Sequence, residues 1–208
     1  MKKSVLVLMS GGIDSAVLAK HYLDKGWEVK GVFVDHGQPM LEVERKVIVE
    51  LAKVLGVGIV ETLGGEFDYD GYFGPVRNLY LLTLAVNLSY FYPFKNVAIG
   101  VCNGEYLDTR PEFIDRFNFM LEMCLKDPIY VLAPFAHWSK SRVIKYGIKI
   151  GAPLYLTYSC MEYPPCGKCG DCKIRAKFHL DGEIGIDLTS KGSLEQRIKD
   201  NPLDPTKE

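Results

Sequence analysis

The chain has 208 residues, of which 48% are hydrophobic and 25% charged, and its formal net charge is -1. That is the composition of one globular domain, or of one domain with a small appendage, and it can fill a sizeable core. The near-zero charge argues against the broad basic face of a large nucleic-acid footprint, and no apolar run has the length of a membrane span.

The N-terminal MKKSVLVLMSGG has two lysines and an apolar run. The run is too short for an export signal and leads into a glycine turn, so it reads as a strand. The expected location is the cytoplasm, with no membrane association and no stable nucleic-acid partner. Ser4 to Met9 is almost wholly apolar, as in a strand buried on both faces. Ile13 to Lys25 has helical spacing and stops at Gly26. Glu28 to Val34 reads as a second strand, Met40 to Leu55 as an amphipathic helix closed by Gly56, and Gly58 to Thr62 as a third strand. Pro75 opens a helix to about Phe91. Asn96 to Gly100 is a strand, Pro111 to Leu125 a helix, Pro128 to Ala133 a strand, and Ser139 to Ile150 a helix stopped by Gly151. From about residue 181 the chain is a polar tail, and it has no internal repeats.

Strands alternating with helices predict an α/β fold, a doubly wound parallel sheet with helices on both faces. Ligands then bind at the carboxyl ends of the strands, which directs attention to loops 10–14, 35–39, 101–110 and 134–140.

The first of these loops is SGGIDS, residues 10–15. Glycines let backbone N–H groups approach an anion, and the following helix start adds its positive dipole end. Ser10 and Ser15 add hydroxyl donors. The Gly-Lys-Ser/Thr of the common nucleoside-triphosphatase loop is missing. The motif resembles instead the pyrophosphate loop of the N-type ATP pyrophosphatases.

Four of the six cysteines fall in SCMEYPPCGKCGDC: Cys160, Cys166, Cys169 and Cys172. Cys-x2-Cys turns point paired thiolates at one ion, and four sulfurs suit a closed tetrahedral zinc site. An iron–sulfur cluster uses the same ligands. Cys124 is expected in the core of its helix. Cys102, just past a strand end, is expected to pack there.

Several stretches together resemble the QueC family of 7-cyano-7-deazaguanine synthases. They are SGGIDS, VDHGQ (34–38), PVRN (75–78), IGVCN (99–103), DTRPEFI (108–114), the Ser139-Lys140 pair, and TYSC with the cysteine cluster (157–172). The resemblance covers about residues 4 to 180. It implies a nucleotide-hydrolase-like (HUP-type) ATP-binding domain over 1–156, a zinc-binding segment over 157–180, and the tail over 181–208. It implies ATP, magnesium and zinc as cofactors, a small-molecule substrate (7-carboxy-7-deazaguanine) with ammonia, and a homodimer. The carboxylate would be adenylated, aminated to an amide, and adenylated again to give the nitrile.

The roles this implies are as follows. Ser10, Gly11, Gly12, Asp14 and Ser15 hold pyrophosphate, with Asp14 helping to place magnesium. Asp35 and Gln38 lie where ribose or adenine would sit. Arg77 and Asn78 bind substrate, as do Asp108, Arg110 and Glu112 near the base. Arg77, Asp108 and Lys140 are the candidate catalytic residues. The chain departs from the family at His36, where an aromatic is usual, and at Pro39-Met40, where a basic residue and a histidine are usual. The spacing between the first two cysteines is also shorter. Other readings of the same loop are a relative that adenylates another carboxylate, a tRNA-thiolating ATP pyrophosphatase, and a non-catalytic zinc-stabilised nucleotide module.

Overall fold

A computed structural model describes residues 3–65, 76–103 and 106–180. Five strands form one parallel sheet: β1 (Ser4–Leu8), β2 (Glu28–Asp35), β3 (Gly58–Leu63), β4 (Asn96–Ala98) and β5 (Tyr130–Leu132). Their spatial order is β3-β2-β1-β4-β5, and every neighbouring pair is parallel. Val5, Leu6 and Val7 have no solvent exposure, which is why the first strand reads as an unbroken apolar run.

Helices cover both faces, as expected of a doubly wound sheet. One face carries α1 (Ile13–Asp24), α2 (Leu41–Leu55) and α5 (Lys140–Lys149). The other carries α3 (Arg77–Phe91) and α4 (Pro111–Cys124). Boundaries follow local chemistry. Gly56 adopts φ +68° and ends α2, returning its N–H to Lys53 O. Pro111 stands at the first turn of α4, and Ser139 caps α5 by accepting the Arg142 N–H. Pro75, expected to open α3, lies outside the described residues, as does the tail from 181.

Three short helical pieces go beyond the periodicity reading. Leu107–Thr109 and Leu154–Leu156 are single 3₁₀ turns, and α6 (Gly170–Lys177) follows the cysteine cluster. α6 starts at Cys169, whose Sγ accepts the Cys172 N–H. Residues 154–180 pack on the α1/α2/α5 face, where Leu154, Tyr158, Cys160, Cys172 and Leu180 join the core. Cys124 corrects the expectation of a core cysteine. It ends α4 one turn past Leu121, the last residue that helix buries, and is exposed.

The strand order reverses between β1 and β4, and a crevice opens there. α1 enters close against the end of β4. A Cβ on Gly100 would stand 2.8 Å from the Asp14 carbonyl carbon and 2.9 Å from the Ser15 nitrogen. Those are backbone atoms of the first turn of α1, so the strand or the helix must shift to accept it. Gly100→Ala is therefore expected to lower stability by about 1–3 kcal/mol, read as a fall in melting temperature of about 2–10 °C. Gly58→Ala, where a Cβ meets nothing within 4 Å, is the control and leaves the melting temperature nearly unchanged.

Candidate active site and metal centre

A cleft of about 610 Å³ opens over the carboxyl ends of β1, β2 and β4. Its walls include Ser10, Gly12, Asp14, Ser15, Gln38, Arg77, Asn78 and Lys140. Gly11, Asp35, Asp108, Arg110 and Glu112 do not line it.

The loop after β1 turns at Gly11, φ +77°, a conformation that favours glycine. A Cβ there would also press on Val47 Cγ1 at 3.0 Å. The Gly11 carbonyl accepts the Tyr158 N–H at 3.0 Å, and Ser15 Oγ donates to Gly12 O at 3.0 Å. Gly12 opens α1 with no side-chain cap, which leaves the helix start available to an anion. Asp14 Oδ2 accepts from Lys140 Nζ at 2.7 Å, and Cys102 Sγ lies 3.9 Å from the same oxygen. Asp14 Oδ1 is buried with no hydrogen-bond partner among the described residues. Cys102 is half-buried, packs on the core beside α1, and also lines the cleft.

At the end of β2, Gln38 is buried. Its Oε1 accepts the His36 N–H at 2.9 Å, while Nε2 donates to Val34 O at 3.2 Å and to Glu44 Oε2 at 2.9 Å. Asp35 turns away from the cleft. Its Oδ2 accepts from Arg45 at 2.5 Å and its Oδ1 from the Gly37 N–H at 3.2 Å. Arg45 also pairs with Glu61 at 2.6 Å. Burial, seconded by the Arg77 charge, pushes the His36 imidazole down to about 4, so it is neutral at pH 7. Burial raises the pKa of Glu44, and the Gln38 hydrogen bond and Arg77 oppose that rise.

Arg77 and Asn78 begin α3. Asp108, buried at 6% exposure, accepts the Asn78 N–H at 2.7 Å and Asn78 Nδ2–H at 3.0 Å. Both its oxygens are thus spent on the start of α3. Arg110 stands at the N-cap of α4 and Glu112 in its first turn; both are exposed. Sequence reading gave no role to several wall residues, among them Glu44, Ser159 and Asp171. Ser159 sits in the quoted TYSC stretch, and its Oγ is buried without a partner among the described residues.

The four cluster cysteines converge. Their sulfurs lie within 4.8 Å of one another, with Cys166 and Cys172 Sγ 4.0 Å apart. Sulfurs about 2.3 Å from a tetrahedral ion stand at nearly that separation. Cys160 Sγ accepts the Glu162 and Cys166 N–H groups at 3.4 Å each, the polarity a thiolate needs. The N–H groups of Lys168 and Cys169 draw the Cys166 thiol down to about 7. The donor set fits one soft, tetrahedral metal centre.

Residues 1–61 match the profile of the thiamine biosynthesis protein ThiI. The fold resembles an NMN synthetase structure from Francisella tularensis, with TM-score 0.50 and 16% identity over 76% of this chain and 66% of that one. A 7-cyano-7-deazaguanine synthase of Leptospira biflexa is 30% identical across 89% of this chain and 92% of its own length. One from Sulfurisphaera tokodaii is 32% identical over 86% of this chain. The chain spans about half the length (46%) of that relative and of the Sulfolobus acidocaldarius one. No helix among the described residues is long and apolar enough to cross a membrane. The profile of the queuosine biosynthesis protein QueC matches residues 61–181, more than half of the chain, including Arg77, Asp108 and all four cluster cysteines. With the SGGIDS turn at the head of the same sheet, the chain belongs to the QueC family within the PP-loop superfamily.

Proposed function

We propose that the protein is an ATP-dependent ligase that converts 7-carboxy-7-deazaguanine and ammonia into 7-cyano-7-deazaguanine. The observation that carries this reading is the pairing of Asp14 with Lys140 beside an uncapped helix start, in one cleft with Arg77 and Asn78. Such a cleft binds a triphosphate at one side and an anionic acceptor at the other.

The steps balance as follows. A substrate carboxylate oxygen attacks the α-phosphorus of ATP, and pyrophosphate leaves. Ammonia attacks the acyl carbon, AMP leaves, and an amide forms after loss of a proton. The amide oxygen then attacks the α-phosphorus of a second ATP, a second pyrophosphate leaves, and loss of AMP and the two N–H protons leaves the nitrile. The chain needs no nucleophile of its own for this chemistry. Its residues position reactants and meet developing charge. The Ser10–Ser15 turn receives the leaving pyrophosphate. Lys140, which donates to Asp14, meets the α-phosphate. Arg77 faces the acceptor carboxylate. Asp108 acts one step back, by fixing the first turn of α3 from which Arg77 and Asn78 project.

Magnesium fits Asp14 Oδ1, which is buried with no partner among the described residues, since a hard cation takes oxygen ligands. When bound, it would screen the phosphate charge. Zinc fits the four sulfurs and would fold the 157–180 segment. We also place the protein in the cytoplasm, where clustered thiols stay reduced. As a homodimer it would cover the exposed Phe91, Phe119 and Met123.

Given 7-carboxy-7-deazaguanine, ammonium and magnesium-ATP, the purified protein is expected to yield the nitrile, AMP and pyrophosphate, identified by mass spectrometry. ATP binding without amide or nitrile would sink this substrate and turn the search to other carboxylates. Lys140→Met is expected to lower kcat/KM by about 10²–10³ while the fold survives, as judged by circular dichroism. Asp108→Ala strips a buried N–H of its acceptor and should cost about 1–3 kcal/mol, with a lower melting temperature and a KM raised more for the acceptor than for ATP. Elemental analysis should find one zinc per chain and no iron. Its removal by a chelator should release the 157–180 segment to proteolysis, and intact protection after metal removal would refute the structural role.

A further inference from the structure

The polar wall at the end of β2 contains a carboxylate with no role so far. Glu44 lies in the first turn of α2 and lines the cleft. Its Oε2 is held by Gln38 Nε2 at 2.9 Å. Gln38 is itself fixed by Val34 O and the His36 N–H, so the carboxylate has one well-defined position. Its Oε1 accepts no hydrogen bond from the described residues.

The neighbouring acids differ. Asp35 spends one oxygen on Arg45 and the other on the Gly37 N–H. Asp108 spends both on Asn78. Of these three carboxylates, Glu44 alone combines a position on the cleft wall with an oxygen left for a ligand. His36 beside it is neutral at pH 7 and Gln38 is an amide, while the nearby Arg77 charge favours the ionised carboxylate. A desolvated carboxylate repels phosphate and leaves a large penalty if its ligand brings no donor. It therefore selects a ligand edge that carries O–H or N–H groups.

We propose that Glu44 reads the hydrogen-bond donor edge of the ligand on the β2 side of the cleft. The donors come either from the ribose diol of the nucleotide or from the amino-pyrimidinone edge of the acceptor base. Both present adjacent donors that one carboxylate accepts. This inference rests on the nucleotide-binding reading above and assigns a specificity residue within it. Because Gln38 locks the acceptor, discrimination against a ligand without the donor should be strong.

The test is binding, measured without turnover. Isothermal titration of ATP, 2′-deoxy-ATP, 3′-deoxy-ATP and 7-carboxy-7-deazaguanine would be run on the wild type, Glu44→Gln and Glu44→Asp. Glu44→Gln keeps the Gln38 contact through its amide oxygen but loses the charge. It is expected to weaken one ligand by about tenfold or more and leave the other within about twofold, with the melting temperature held within about 2 °C. If ribose is read, wild type prefers ATP over a deoxy analogue and the variant loses that preference. If the base is read, ATP binding is unchanged and the deazapurine weakens. Glu44→Asp, charged but shorter, should recover part of the loss. Unchanged affinities for both ligands overturn the inference. So does equal weakening of both with a lowered melting temperature, which marks a structural role. A wild-type protein that binds no ATP overturns the proposed function, and this inference with it.

Discussion

The turn at Gly11–Gly12 is the constraint on which the rest of the site depends. It is fastened from three directions. Val47 of α2 closes on Gly11 from one side, and the Tyr158 N–H bonds its carbonyl from another. The bare Cα of Gly100 lets the backbone of Asp14 and Ser15 lie against the end of β4. Each contact belongs to a different part of the chain, and none tolerates much added volume. An anion site made of backbone N–H groups has no long side chain to adjust its reach, so its geometry must come from such packing.

Charge in the cleft follows a second rule, that buried acids are either tied or left for a ligand. Asp35 is tied through Arg45 to Glu61, which joins the ends of β2 and β3 to α2. Asp108 is tied to Asn78 and joins the 3₁₀ turn to α3. Asp14 is half tied, with Lys140 on Oδ2 and no partner among the described residues on Oδ1. The tied acids cost little in the folded state because their charge is met on both oxygens. Those with an oxygen still open keep a demand that a cation or a donor must meet, and they line the cleft.

The fold was legible because its signals are local. Unbroken apolar runs marked buried strands, and Gly26, Gly56 and Gly151 marked helix ends with positive φ. The helix α6 was not legible: it is short and polar, and a cysteine N-cap rather than a periodic face starts it. The location of the cleft was legible as the carboxyl ends of the strands, whereas the strand order that puts it at the switch between β1 and β4 comes from the structure. Individual roles were less so. Whether Asp35 faces a ligand is decided by Arg45, ten residues away, and the oxygens of Asp108 are decided by Asn78, thirty away. Glu44 hides in the charged stretch LEVERK, where spacing alone does not separate a cleft residue from a solvated one. Gln38, in the loop before α2, draws it inward.

The cysteine segment fits a structural metal beside this cleft. Residues 157–169 add no strand to the sheet, and α6 is only eight residues long. Backbone entropy alone would keep so short a piece from ordering. A metal held by four thiolates supplies folding energy without a large core. The ordered segment then delivers the Tyr158 N–H to Gly11 and sets Ser159 and Asp171 on the cleft wall. Cys160, two residues after Tyr158, transmits that order directly to the phosphate loop. A metal held by the four cysteines would thus be a mechanical part of the cleft.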